Sequence, residues 1–254
     1  MPVLSAQYDQ DFYDQQMSGS YRSAQVFAGI LASIMVPRSV ADLGCGRGTW
    51  LKAFGEVGAR KLVGFDGAWN RQENMVDGSI VFNPWDLNKS ICWDPAEKFD
   101  LAVSLEVAEH LEPASAPSFV SSLASLSDLV LFSAAFPGQG GTHHINERPH
   151  SYWASLFAAH AYVPFDVFRP IVWGDQRVEF WYRRNAFLYA RTGSVAYRTL
   201  RSKGLLPIST ATLMDCVEPR SYLARLPMTR KLRLSPRVAR ILFRHLFNSS
   251  RKSV

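Results

Sequence analysis

No stretch of 18 consecutive apolar residues occurs in these 254 residues, so none is fit to span a bilayer as a helix. Met1 to Asp9 lack the basic start and apolar run of a secretory signal. Cysteine is scarce: Cys45, Cys92 and Cys216 are odd in number and far apart. That spacing excludes a disulfide framework and a zinc-type cysteine pattern, and the expected compartment is the cytoplasm. With 20% charged and 47% hydrophobic residues, the chain is not intrinsically disordered. It has no internal repeat and no low-complexity tract. Acid is missing from one region. Residues 219–254 hold ten of the 28 Lys and Arg and no Asp or Glu, which leaves 18 basic side chains against all 22 acids elsewhere. A mildly acidic body with a basic tail argues against a nucleic-acid partner for the body and suggests an anionic surface as a partner for the tail.

Around one stretch the rest falls into register. Val40 to Leu43 read as a short buried strand. Gly44, Gly46 and Gly48 follow at alternate positions, and a helical pattern begins after them. Strand, glycine turn and helix make a cradle in which a ligand approaches the backbone closely. Asp42 at the strand's end argues against a pyrophosphate over this turn, which its charge would repel, and favours a ligand with a positive end. Further strands are predicted at 61–65, 79–82, 99–105 and 129–132. Helices are predicted around Val26, Phe27, Ile30, Leu31 and Ile34, where Ser20 suits the cap, and at 113–126 and 151–161. Residues 165–173 and 180–190 read as two extended segments joined by a turn near Gly174-Asp175. Strand and helix alternate five times and two strands then follow. The predicted fold is therefore α/β, a doubly wound, Rossmann-like, seven-stranded and mostly parallel sheet closed by an antiparallel C-terminal hairpin. Ser235-Pro236 starts a predicted amphipathic helix in the basic tail, fit to dock on the body or to lie on an anionic membrane.

Asp42, Asp66, Asp86 and Glu106 each fall at a strand end on this reading, where open α/β sheets bind ligands. The run from Val40 to Trp50 resembles motif I of the class I S-adenosylmethionine-dependent methyltransferases. That resemblance implies S-adenosylmethionine as cofactor and S-adenosylhomocysteine as product. It places Gly44, Cys45 and Gly46 against the methionine end. Asp66, with Gly67 beside it, falls on the ribose diol, to which a carboxylate offers two acceptor oxygens. Asp86 and Leu87 fall on adenine, and Leu105 on the same pocket.

Two loops carry the candidate chemistry: Leu105-Glu106-Val107-Ala108-Glu109-His110-Leu111, and Gly140 to Glu147 with His143-His144. Methyl transfer to a hydroxyl needs a base near the acceptor, and imidazole has a suitable pKa. His144 is the first choice and His110 the second, with Glu106 beside them. The Glu-Val-Ala-Glu-His-Leu string resembles ubiquinone O-methyltransferases, and also small-RNA ribose 2′-O-methyltransferases that hold a divalent metal. By that second resemblance Glu106, Glu109, His110 and His144 form an acceptable set for magnesium, manganese or zinc. The sequence around His143-His144 departs from the RNA enzymes, so no metal ligand is assigned and a metal stays the second choice.

The fuller resemblance, over residues 10–190, is to bacterial methyltransferases of sugar, polysaccharide and natural-product pathways. It rests on Ser23-Ala24, His144-Ile145-Asn146-Glu147, Ser151-Tyr152-Trp153 and Trp181-Tyr182-Arg183-Arg184-Asn185. Trp153, Trp173, Trp181 and Tyr182 are candidates for an aromatic wall at the acceptor. The expectation is an O-methyltransferase acting on a hydroxyl of a small molecule or glycan. N-methylation of a small amine, or metal-dependent RNA ribose methylation, is the alternative. The expected parts are 1–36 as cap and first helix, 37–195 as methyltransferase core and 196–254 as basic extension.

Overall fold

The computed structural model describes residues 10–91, 93–94 and 97–216, with side chains from residue 18. The predicted tail helix, most of the basic extension and Cys92 lie outside the described residues. Seven strands form one sheet: β1 (Ser39–Leu43), β2 (Lys61–Asp66), β3 (Ile80–Pro84), β4 (Leu101–Leu105), β5 (Leu129–Ser133), β6 (Tyr162–Phe165) and β7 (Phe187–Arg191). Their order is β3-β2-β1-β4-β5-β7-β6. β1 to β5 are parallel, and β7 runs antiparallel between β5 and β6. The predicted doubly wound, mostly parallel sheet is the observed fold.

Both faces of the sheet are covered, and alternate side chains show it. Val40, Leu101, Val103, Leu129 and Leu131 enter one core with Phe27 of α1 (Gln10–Ala32) and Leu51 of α2 (Thr49–Glu56). Ala41, Ala102, Val130 and Phe132 enter the other with Phe119 of α3 (Ala116–Leu126) and Trp153 of α4 (His150–Ala158). Burial on both faces explains why these strands read as continuous apolar runs. Phe27 stacks on Phe168 at 4.5 Å and meets Trp50 edge-on at 5.5 Å, tying α1 to the sheet.

Several local expectations are corrected. Helix α1 begins at Gln10, so Ser20 lies within it rather than at its cap. The Ser20 hydroxyl instead shares a hydrogen bond with that of Thr49 at 3.1 Å. The connections from β2 to β3 and from β3 to β4 carry no α-helix among the described residues. Of the segments read as extended, 165–173 contains α5 (Arg169–Val172), and 180–190 begins with α6 (Phe180–Asn185) and ends in the expected strand as β7, while its hairpin partner β6 ends where the first segment begins. A short apolar run carries no decisive period. Here Pro170 occupies the first turn of α5, and Arg169 bonds Asp166 three residues back at 2.7 Å, which favours a helical turn. Helix α7 (Val195–Ser202) starts at Ser194, whose side chain accepts from the Tyr197 amide. It buries Leu200 in the first core.

Candidate active site

The strand order reverses between β1 and β4, the switch point at which open α/β sheets leave a crevice. A cleft of about 390 Å³ opens there. Its first half is built by the ends of β1, β2 and β3. Gly44 is left-handed, with φ 85°, and a Cβ on it would meet Val107 at 2.3 Å. Only glycine therefore lets the turn after β1 lie against the turn after β4. The Asp66 carboxylate accepts from the amides of Gly46 and Gly67, each at 2.7 Å. Burial raises its pKa against the pull of those two amides. Asp86 is exposed and bonds the Asn88 amide at 3.1 Å, which brings its pKa below the usual carboxylate range. Leu87 is buried beside it.

Asp66, Gly67, Asp86 and Leu87 all line the cleft with Gly44. Asp42, Cys45, Gly46 and Leu105 are not among its lining residues. Asp42 lies within β1 and is 3% exposed. Burial, and then the charge of Asp66, hold its carboxyl well above the ordinary range. Burial likewise pushes the Cys45 thiol up, so it is no nucleophile.

The second half is built by the loops after β4 and β5. Glu106 and His143 are non-glycine residues at φ 55° and φ 58°, conformations that cost about 1–3 kcal/mol each and gather at functional sites. The Glu106 carboxylate accepts from Gln139 at 2.7 Å and from Asn185 at 3.0 Å. Burial raises its pKa against those two bonds. The carbonyl of Glu109 accepts from the amides of Ile145 and Asn146 at 2.9 and 3.0 Å, and that stitch holds the second loop against the first. His110 and His144 thereby meet edge to face, with ring centroids 4.8 Å apart.

Each imidazole is held at Nδ1. His144 bonds Glu147 at 2.9 Å, and His110 bonds the His143 carbonyl at 3.3 Å. Glu147 also accepts from the amides of Gly138 and Gly140 at 2.6 and 2.8 Å. Burial pushes the Glu147 pKa up, but His144 and these amides outweigh it and bring it below the usual value. Burial, and then His144, lower the pKa of His110. His110 and Glu106 line the cleft, with His144 behind them.

Of the residues proposed from sequence as catalytic, Glu106 and His110 thus lie on the cleft, and His144 is joined to them through its ring contact with His110. Of the four aromatics expected at the acceptor, Trp181 and Tyr182 pack on each other at 6.0 Å, whereas Trp153 and Trp173 stand apart from the cleft. Trp153 is 1% exposed and packs on Phe132, because its face of α4 turns to the sheet, while Trp173 is 42% exposed. The aromatics on the cleft are Trp69 and Trp85. A Cβ on Gly67 would meet the Trp69 ring at 2.5 Å, so that glycine also seats an indole. Sequence reasoning missed both tryptophans, although each lies within three residues of a predicted site acid. It also missed Gln139 as a partner of Glu106, which no local signal marks.

The sequence model of the methyltransferase-domain family matches residues 13–183. The chain belongs to that family and has its class I, S-adenosylmethionine-dependent fold. No curated protein matches it in sequence. Among solved structures, magnesium protoporphyrin IX methyltransferase (ChlM) from Synechocystis PCC 6803 with bound SAH is 18% identical. It covers 74% of this chain and 90% of its own, at a TM-score of 0.52. DesVI of Streptomyces venezuelae is 14% identical over 73% of this chain and 100% of its own, at 0.51. An O-methyltransferase family protein from Burkholderia thailandensis is 15% identical over 74% and 61%, at 0.50. At these identities the likeness is one of fold. No helix among the described residues is long and apolar enough to cross a membrane.

Proposed function

We propose that this protein is an S-adenosylmethionine-dependent O-methyltransferase that methylates a hydroxyl of a small molecule or glycan. The donor set of the first half fits the cofactor. Each Asp66 oxygen is engaged by one amide and keeps a lone pair, enough for a ribose diol. Asp86 and the Leu87 amide suit the two edges of adenine, with Trp69 and Trp85 beside them. When bound there, S-adenosylmethionine would supply an electrophilic methyl group on a positively charged sulfur, leaving this chain's own residues to orient the acceptor and take its proton.

The observation that carries the hydroxyl reading is the pair of imidazoles at the cleft wall, His110 on its surface and His144, bonded to Glu147, packed edge to face against it. An amine acceptor needs little help with its proton, whereas a hydroxyl needs a base within reach. Glu147 orients His144, and His110, whose pKa is lowered, stays neutral at pH 7 and able to accept. Outside its basic tail the chain carries 18 basic against 22 acidic side chains, which supports a small acceptor or a terminal sugar over a nucleic acid.

The test is S-adenosylhomocysteine release from panels of alcohols, glycosides, amines and RNA oligonucleotides. Turnover confined to hydroxyl acceptors, and reduced as pH falls through the imidazole pKa, is the expected result. Turnover of amines alone rejects it.

A further inference from the structure

Glu109, His110 and His144 each offer one ligand atom, and the three atoms lie within 4.8 Å of one another. We propose that these residues bind a divalent transition-metal cation, of the zinc or manganese kind, whose open position takes the acceptor oxygen. The role of the ion rests on the hydroxyl reading and refines it: with both Nε2 atoms as ligands, the ion takes the place of a free imidazole base as the group that lowers the acceptor hydroxyl's pKa; the binding of the ion does not rest on that reading.

Three independent features point to a ligand here. The first is Glu109. It is 0% exposed, and neither carboxylate oxygen has a hydrogen-bond partner. The amides of Glu109 and Ala135 face it and favour its charge, yet neither reaches hydrogen-bonding geometry. A carboxylate taken out of water without a donor is strongly disfavoured, and buried charges are as a rule paired or bound to metal. Glu106 and Glu147 add like charge around it.

The second is the orientation of the imidazoles. Nδ1 of each ring is committed, one to the Glu147 carboxylate and one to the His143 carbonyl. Both rings thereby turn Nε2 into the free lone pair, as metal-ligating histidines do. The strained backbone of His143 serves this arrangement, since its carbonyl is the acceptor. The third is Gly141. A Cβ there would lie 2.3 Å from Nε2 of His144, on the atom an ion needs, and glycine keeps it clear.

Glu106 is not part of the set, because Gln139 and Asn185 occupy its carboxylate. Two imidazoles and one carboxylate suit a first-row transition metal better than magnesium. Three protein ligands leave a coordination position open, the pattern of catalytic rather than structural sites. With metal–ligand bonds of about 2.0–2.2 Å, the three donors must draw in slightly, and His110, on the cleft wall, is the ring with room to move.

The experiment uses untagged, chelator-treated full-length protein. Calorimetry follows Zn2+, Mn2+ and Mg2+, and visible absorption follows Co2+. The expected result is one Zn2+ or Mn2+ per chain, with Mg2+ at least about tenfold weaker. Glu147→Gln weakens binding about 10–100-fold by loosening His144. Glu109→Gln, His110→Ala and Gly141→Ala each weaken it at least as much. Should Glu109→Gln fail to fold, His110→Ala, at the cleft surface, carries the comparison, with its unfolding midpoint as the check on folding. A wild-type protein that takes up no ion, or variants that bind as tightly as wild type, overturns the site. Methylation of an alcohol by ion-free protein at the loaded rate overturns the ion's role while O-methylation stands. Ion binding by a protein that methylates only amines confirms the site and removes the hydroxyl reading.

Discussion

The two halves of the cleft hold their acids in opposite ways. At the ends of β1 to β3, Asp66 and Asp86 are tied to backbone amides within their own or the adjoining turns, on the most regular part of the sheet. After β4 and β5, Glu106 depends on Gln139 and Asn185, 33 and 79 residues away, and Glu109 has no partner at all. Among the described residues, two of the three left-handed non-glycine residues, Glu106 and His143, lie in that second half. One half is a rigid receptacle that the local fold completes unaided. The other holds backbone strain and a buried carboxylate with no hydrogen-bond partner.

Four measurements test this contrast. The largest effect belongs to the second half: His144→Ala is expected to lower kcat about 10²-fold, with S-adenosylhomocysteine affinity close to wild type. Equal losses in both quantities erase the division. Next, Asp66→Ala in the first half is expected to weaken S-adenosylhomocysteine binding by about 2 kcal/mol, roughly 30-fold, as when a charged hydrogen bond is lost. Asp66→Asn keeps one acceptor and falls between. Calorimetry that finds both variants unchanged removes Asp66 from the ribose.

The third measurement concerns stability. His150, beneath the second half, is buried between Phe136 and Phe187. Burial, and then Arg169, lower its pKa to about 4. Because its folded pKa lies below its unfolded one, the unfolded chain binds the proton first. Its contribution is present above about pH 6.5 and is lost as pH falls toward 4. After relaxation of the pocket the expected loss is about 1–2 kcal/mol. His150→Phe should flatten that part of the profile in denaturant titrations at pH 7, 6, 5 and 4; an unchanged slope assigns it elsewhere.

The smallest effect is expected away from both halves. Ala161, just past α4 at φ 64°, carries strain that serves no site. Ala161→Gly is expected to stabilise by about 0.5–1 kcal/mol with unchanged turnover. Glu106→Gly relieves the same kind of strain but removes the carboxylate, so turnover should fall while the unfolding midpoint holds. If both substitutions leave turnover intact, the strain at Glu106 has no functional meaning.

The first half was legible in the sequence because its residues follow the strands that carry them. Asp66 ends β2, Asp86 lies two residues past β3, and Gly44 follows β1. The sheet was legible for the same reason, since two-sided burial leaves plain apolar runs. What failed was short: α5 and α6 are 4 and 6 residues long, too brief for a helical period to show. In the second half the histidines were visible as residue types, but not their geometry. The stitch from the Glu109 carbonyl to Ile145 and Asn146 joins segments more than thirty residues apart, and backbone bonds leave no mark on side-chain spelling. Trp153 was misplaced because composition does not say which face of α4 meets the sheet.

The insertion of β7 between β5 and β6 also orders events during synthesis. The ribosome releases β5 first, and its outer edge has no neighbour until β7 arrives more than fifty residues later. β6 emerges in between but pairs only with β7, so it must wait as well. Long-range pairing of this kind is slow and leaves an apolar edge open to other chains. Asn185, two residues ahead of β7, reaches Glu106 as that strand docks. A nascent chain that has not yet closed its sheet therefore has an incomplete cleft wall, and the step that removes its aggregation-prone edge is the one that gives Glu106 its Asn185 partner.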